Sequence, residues 1–257
     1  DTIYINSVSD LLSLAKSCAY DQWSVGKTVI LQKDLSLEGM LWEPIPSFSG
    51  QFKGNGHTIS DLTITGQYSP AGLFDIVEEQ GSVESLSVRG IVSVSDSADT
   101  TTGGIVGINH GTLINCQFTG VVTGDSEVGG IVGRNESEGT IDHSTARAIV
   151  TGKSSTGGIA GYNLGAITGC TNVGSINTEY QEASLDTDGF TAKMVDYINN
   201  KMAAADDDAT NSVTNVATDT GGIAGRSSGM ILTSVNTGTV GYEHIGYNVG
   251  GIVGRTD

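Results

Sequence analysis

The chain has 257 residues, of which 37 are glycine and only 16% are charged, and 12 basic against 29 acidic side chains give a formal net charge of -17. That balance repels a phosphate backbone and an anionic membrane surface alike, so nucleic acid is not an expected partner. No apolar run reaches the roughly 18 to 20 residues of a membrane span, and residues 1–6 do not read as a signal peptide, so membrane insertion is not expected either. Three cysteines, Cys18, Cys116 and Cys170, form no CxxC pair. They read as small buried side chains, since neither a zinc knuckle nor a dense disulfide framework fits that count.

Taken from the N-terminus, Ser7 and Asp10 have the spacing of a helix N-cap box, and Leu11, Leu14, Ala15 and Cys18 follow at i, i+3, i+4 and i+7. This predicts an amphipathic helix over about residues 8–19, laid as a lid on the first rung of a stack of strands. Thr28 to Leu37 reads as the first strand or pair of strands, and Trp42-Glu43-Pro44-Ile45-Pro46 as an interrupting turn. Asn55-Gly56 supplies the left-handed positions of a tight turn, with His57 as a turn histidine bonded to neighbouring backbone.

The rest of the chain is built on one repeated stretch, Gly103-Gly104-Ile105-Val106-Gly107. It returns with first glycines at 129, 157, 221 and 250, and loosely as Ala71-Gly72-Leu73-Phe74-Asp75. The steps between copies are 26, 28, 64 and 29 residues (103 to 129, 129 to 157, 157 to 221, 221 to 250), so the long interval holds an insertion. Laid over one another, the copies place Leu62, Leu86, Cys116, Ser144, Cys170 and Ser234 in one column. Two residues later come Ile64, Val88, Phe118, Ala146, Asn172 and Asn236, then Gly66, Gly90, Gly120, Ala148, Gly174 and Gly238. A further apolar column holds Val92, Val122, Val150, Ile176 and Val240. A spacing of two keeps each column on one face of a strand. Asn109, Asn135 and Asn163, followed by Ser227, either stack as an amide ladder at a corner or serve singly as turn residues.

The insertion covers about 178–218. Within it Phe190, Met194, Ile198 and Met202 recur at i+4, predicting a helix, and Asp206-Asp207-Asp208 closes it. The repeat resumes in register afterwards, so the segment is expected to leave and rejoin the stack at one turn. It either carries recognition or covers one side of the rod with its apolar stripe.

A period near 27, short β-branched strands and glycine turns, with no leucine-rich frame and no Trp-Asp signature, predict an all-β fold: a right-handed parallel β-helix. About seven coils at about 4.8 Å each give a rod core of roughly 35 Å. The whole of 1–257 is expected to form one such domain, with the N-terminal helical cap and the single helical insertion.

The recurring Gly-Gly-Ile-(Val/Ala)-Gly-x-Asn, followed by Gly-x-Ile and a small residue such as Cys or Ser, resembles the GLUG repeat of bacterial surface proteins. Those include the repeat segments beside the protease unit of immunoglobulin A1-specific metallopeptidases. Trp42-Glu43-Pro44-Ile45 and the stretch Phe52 to Ile59 look like the lead-in before such repeats. The resemblance implies an exported, cell-surface setting, a monomeric rod within a longer polypeptide, and a host protein or glycan as partner.

Chemical motifs are sparse. The chain has no His-Glu-x-x-His zinc site. Gly225-Arg226-Ser227-Ser228-Gly229 matches a nucleophile pattern, but the repeat itself explains it. Asp186-Thr187-Asp188-Gly189 is a fragment of a calcium loop, lacking acids at the first and twelfth positions. His57, His110, His143 and His244 share no ligand spacing, and Arg89, Arg134, Arg147, Arg226 and Arg255 read as scattered over different repeat positions. The expectation is therefore a non-catalytic adhesion, ligand-presenting or stalk module with no catalytic residue, metal or cofactor. A polysaccharide hydrolase or lyase is the alternative, since such enzymes also use β-helices. Tyr180, Tyr242 and Tyr247, on the insertion and the longest corner loop, are the candidate contact residues.

Overall fold

A computed structural model describes residues 1–20, 22–94, 100–178, 217–241 and 247–257. Its strands pair in parallel throughout and wind into a β-solenoid of about 7 turns. A representative coil runs through Thr112–Ile114, Gln117–Thr123, Glu127–Gly129 and Val132–Asn135, which belong in turn to sheets of eight, nine, five and seven strands. The residue entering the nine-stranded sheet from the eight-stranded one is left-handed in coil after coil: Asn55, Ser85, Asn115, His143, Gly169 and Thr233 all have positive φ. One such residue reverses the chain without a long loop.

Ser7 is extended, and its side chain accepts from Asp10 N at 3.1 Å while Asp10 Oδ2 accepts from Asn6 N at 2.9 Å. This reciprocal box starts helix Val8–Ser17, whose Leu11 and Leu14 are buried together with Cys18. Two expectations near this end need correction. The first strand is Thr2–Ile5, before the helix, and it pairs with Thr28–Leu31 from Thr2↔Thr28 to Ile5↔Leu31. Four residues carry too little periodicity to announce a strand. The stretch after Trp42 is no mere turn: Ile45–Phe48 is a strand, and Trp42 is fully buried with its indole Nε1 donating to Leu73 O at 3.2 Å. Phe48, Phe52 and Phe74 meet beside it with ring centroids 5.3 to 6.2 Å apart, so this end of the core is aromatic.

Further along, the interior narrows and three glycines per coil show why. In the coils before the last, the second glycine of the repeat faces both the inward column of the nine-stranded sheet and the carbonyl of the next coil's second glycine, as Gly130 faces Gly158 O. A methyl group on Gly104 would stand 2.4 Å from Phe118 Cγ, and one on Gly130 would be 3.0 Å from Ala146 Cβ. The third glycine lies against the backbone of the five-stranded sheet; a methyl group there would meet Thr102 N at 2.6 Å from Gly133 and Val128 N at 2.4 Å from Gly161. The first is walled in as well, since a methyl group on Gly103 would meet Val106 O at 2.1 Å. The repeat is thus the footprint of two backbones packed with no side chain between them.

The predicted columns hold for the later coils: Val88, Phe118, Ala146, Asn172 and Asn236 stack, as do Val92, Val122, Val150, Ile176 and Val240. The earliest member does not. Ile59 pairs with Val88, then the register shifts, and Leu62 pairs with Gly90 and Ile64 with Val92. Leu62 therefore sits four residues along from the column predicted for it. The irregularity between Ile59 and Leu62, with Asp61 at φ 57, adds one residue to this strand, so the offset to the next coil falls from 29 at Ile59↔Val88 to 28 at Leu62↔Gly90. The predicted alignment of Leu62 with Leu86 is out by four residues, an even number that leaves inward residues inward, so pattern alone cannot detect it.

The asparagines form a ladder. Asn109 Nδ2 donates to Asn135 Oδ1 at 2.8 Å, Asn135 Nδ2 to Asn163 Oδ1 at 2.9 Å, and Asn163 Nδ2 to Ser227 Oγ at 3.1 Å, all fully or nearly buried. A second, shorter ladder runs from Asn172 Nδ2 to Asn236 Oδ1 at 2.8 Å. Across the insertion the stack keeps its register: Ile176 pairs with Val150 and Val240, and Gly221 pairs with Gly157.

Candidate functional site

Of the three candidate contact tyrosines, Tyr180 and Tyr242 lie outside the described residues. Tyr247 opens strand Tyr247–Gly250 and pairs there with Thr218. Asp186, Asp188 and the helix predicted from Phe190 to Met202 also lie outside the described residues. Among the described residues no group of three or more His, Cys, Asp or Glu is placed to hold a metal ion. Ser227 is taken up by the ladder: it is 4% exposed, accepts from Asn163 and donates to Gly229 O at 3.3 Å. A hydroxyl so committed has no base to activate it.

The three cysteines are free and buried. Cys116 Sγ donates to Val83 O at 3.3 Å, and its backbone N donates to Ser144 Oγ, the residue that stands between Cys116 and Cys170 in the stack. Burial pushes the Cys116 thiol up to about 12 and those of Cys18 and Cys170 to about 11, so none is a nucleophile at neutral pH.

The arginines are not scattered. Arg134, Tyr162, Arg226 and Arg255 occupy one outward column of the seven-stranded sheet, in pairwise register. Both Arg134 and Arg226 place their guanidinium carbon 5.0 Å from the centre of the Tyr162 ring, one on each side. Carboxylates neutralise this column: Arg134 reaches Glu127 at 2.8 Å and Glu136 at 2.6 Å, and Arg226 reaches Asp257 at 2.7 Å. The signal was in the sequence, at the position between the third glycine and the asparagine of each repeat.

Arg89 and Arg147 share a different column, on the outer face of the nine-stranded sheet, with Thr119 between them. Both are exposed, and among the described residues neither has a carboxylate partner. The strands beneath them, Ser87–Val94, Gln117–Thr123 and Thr145–Thr151, contain no acidic residue. Ile91 and Ile149 lie exposed beside them, with Val121 half-buried in the same register. Sequence reading missed this face because outward residues vary freely from coil to coil.

Two further places carry an acid in an unusual setting. Asp75 stands where later coils carry the third glycine, and its Oδ1 is buried without a hydrogen-bond partner; burial raises its carboxyl to about 7. An open cleft of about 510 Å³ crosses the corners at Glu138, Leu164, Ser228 and Met230, with Glu138 its one acid. A glycosidase needs two carboxylates facing across its cleft.

Residues 124–151 match the family model described as the GLUG motif. The chain is 36% identical over 100 residues to "Halomucin" of Haloquadratum walsbyi, covering 38% of this chain and 1% of that protein. It is 30% identical over 137 residues to a "Putative Gly-rich membrane protein" of Evansella cellulosilytica, covering 38% of this chain and 16% of that one. The chain therefore spans only a small fraction of the length of either relative. A crystal structure of a "putative immunoglobulin A1 protease" from Bacteroides ovatus superposes with a TM-score of 0.61 over 99% of this chain and 73% of that chain, at 18% identity, which shows a shared fold. The GLUG match is thus confined to residues 124–151, and Asn135 within it pairs in register with Asn109 and Asn163 of the neighbouring coils.

Proposed function

We propose that the chain is a non-catalytic repeat module of an extracellular or cell-surface protein, a monomeric rod that presents a rigid face to a host protein or a glycan. The observation that carries this reading is the outer face of the nine-stranded sheet. In a molecule of net charge -17, three adjacent strands there expose threonine, isoleucine, valine and two arginines with no acid among them. A patch that departs so far from the charge of its surroundings marks a contact surface. The names of the relatives, a halomucin and a membrane protein, support the surface setting.

The test is an array of immobilised glycans and extracellular proteins probed with the purified chain, alongside a polysaccharide panel assayed for new reducing ends. Binding without cleavage supports the module. Cleavage of any polysaccharide, or an array without a single binder, overturns it.

A further inference from the structure

We propose that the outer face of the nine-stranded sheet binds a linear acidic polysaccharide of sparse charge, laid along the solenoid axis. Arg89 and Arg147 each meet one carboxylate or sulfate; the inference rests on the surface-module reading above and names its ligand class. Arg89, Thr119 and Arg147 are consecutive partners in the parallel register, so the two arginines stand two strand spacings apart, about 9 to 10 Å. Among the described residues neither is neutralised by a carboxylate. Asp61, on the neighbouring strand between Ile59, which pairs with Val88, and Leu62, which pairs with Gly90, accepts from the Ser36 hydroxyl at 2.6 Å and the Ser60 hydroxyl at 3.1 Å. Guanidinium groups hold carboxylates and sulfates through paired N–H donors, which sets both affinity and orientation. Next to them Ile91, Val121 and Ile149 form a flat apolar strip in the same register, suited to the C–H faces of sugar rings.

Charge density selects the polymer. A nucleic acid carries a charge about every 1.7 Å along its axis, so most of its charge would face a protein of net charge -17 with no arginine to meet it. A glycan with one acid on every second sugar meets two arginines and little else. At physiological salt the repulsion from the rest of the surface is screened beyond about 8 Å.

Isothermal titration of the full chain with hyaluronan and unsulfated chondroitin oligosaccharides, at low and physiological salt, tests the proposal; heparin serves as the dense polyanion and a chitin oligosaccharide as the neutral control. One or both sparse glycans should bind, more weakly as salt rises. The double variant Arg89→Gln/Arg147→Gln should lose at least about tenfold in affinity and most of the salt dependence. Arg255→Gln, from the other column, should bind as the parent does, and circular dichroism should show every variant folded. Failure of both sparse glycans to bind, equal or tighter binding of heparin or chitin oligosaccharide, or a double variant as tight as the parent overturns the proposal. If the array yields a ligand whose binding ignores both arginines, the surface-module reading stands and this one falls.

Discussion

Gly104 and Phe118 face each other across the solenoid so closely that a single methyl group on the glycine would stand 2.4 Å from the ring. Gly104→Ala should therefore destabilise the protein by about 1–3 kcal/mol, the usual cost of overpacking. Gly251 occupies the equivalent repeat position, and a methyl group added there would have nothing within 4 Å. Gly251→Ala should leave the urea midpoint unchanged. Equal effects at the two sites would show that neither packing against the opposite sheet nor the carbonyl of the next coil's glycine is what selects glycine.

Asn135 lies in the middle of its ladder, donating to Asn163 and accepting from Asn109. Asn135→Ala removes both bonds and a third from Nδ2 to Gly139 O at 3.1 Å. A loss of about 2 kcal/mol is expected, because buried groups on either side lose partners. Chemical denaturation measures it, and a loss below about 0.5 kcal/mol would mean that the amides merely occupy turns.

Thr233 holds a left-handed backbone at φ 48, a conformation its branched side chain resists, and it is exposed. Thr233→Asn should raise stability by about 0.5 to 1 kcal/mol, read as a higher melting temperature. No gain would indicate that the corner relaxes around threonine without cost.

The thiols give a chemical count. Ellman's reagent should find three free cysteines in denaturant and close to none in the folded protein at pH 8, because burial raises all three thiols. One thiol in denaturant would mean that Cys116 and Cys170 had paired across the coil that separates them.

Asp75 predicts a pH dependence. Its carboxyl, raised from 3.8 to about 7 by burial, keeps its proton in the folded chain over a range where the unfolded chain has lost it. The folded state thus binds more protons between about pH 4 and pH 7, so the contribution from Asp75 favours folding at the acid end and is lost as pH rises through that window. Asp75→Asn should flatten this part of the stability profile and raise stability at pH 8. An unchanged profile would place the proton elsewhere.

What the sequence made legible follows from how stacking works. Residues that must occupy the same narrow place in successive coils, Gly104 and Gly130 or Asn109 and Asn135, resemble one another, and the resemblance is a visible period. The partner of Leu62 was hidden because Gly90 lies an even number of residues from Leu86, so either pairing keeps the same inward face. Strand Thr2–Ile5 was hidden because its partner, Thr28–Leu31, lies across the helix. The outer face of the nine-stranded sheet was hidden because only its inner columns are held to one type of residue: Arg89 and Arg147 share a column with Thr119, and nothing in the local pattern joins them. Arg134, Tyr162 and Arg226, by contrast, sat in plain register beside the asparagines.

The parallel stacking of coils also fixes what such a module is mechanically suited to. A coil of about 27 residues, drawn out as an extended chain, would reach about 90 Å, yet wound into the solenoid it advances the axis by only about 4.8 Å. As a tether the fold is extravagant in chain length. What it gains is bending stiffness, since every coil is bonded to its neighbours on four sides, and a broad plate whose side chains recur at a fixed pitch. A partner that is itself a regular polymer can engage such a plate at several pitches along its length, so that lateral sliding, rather than release, becomes its easiest motion.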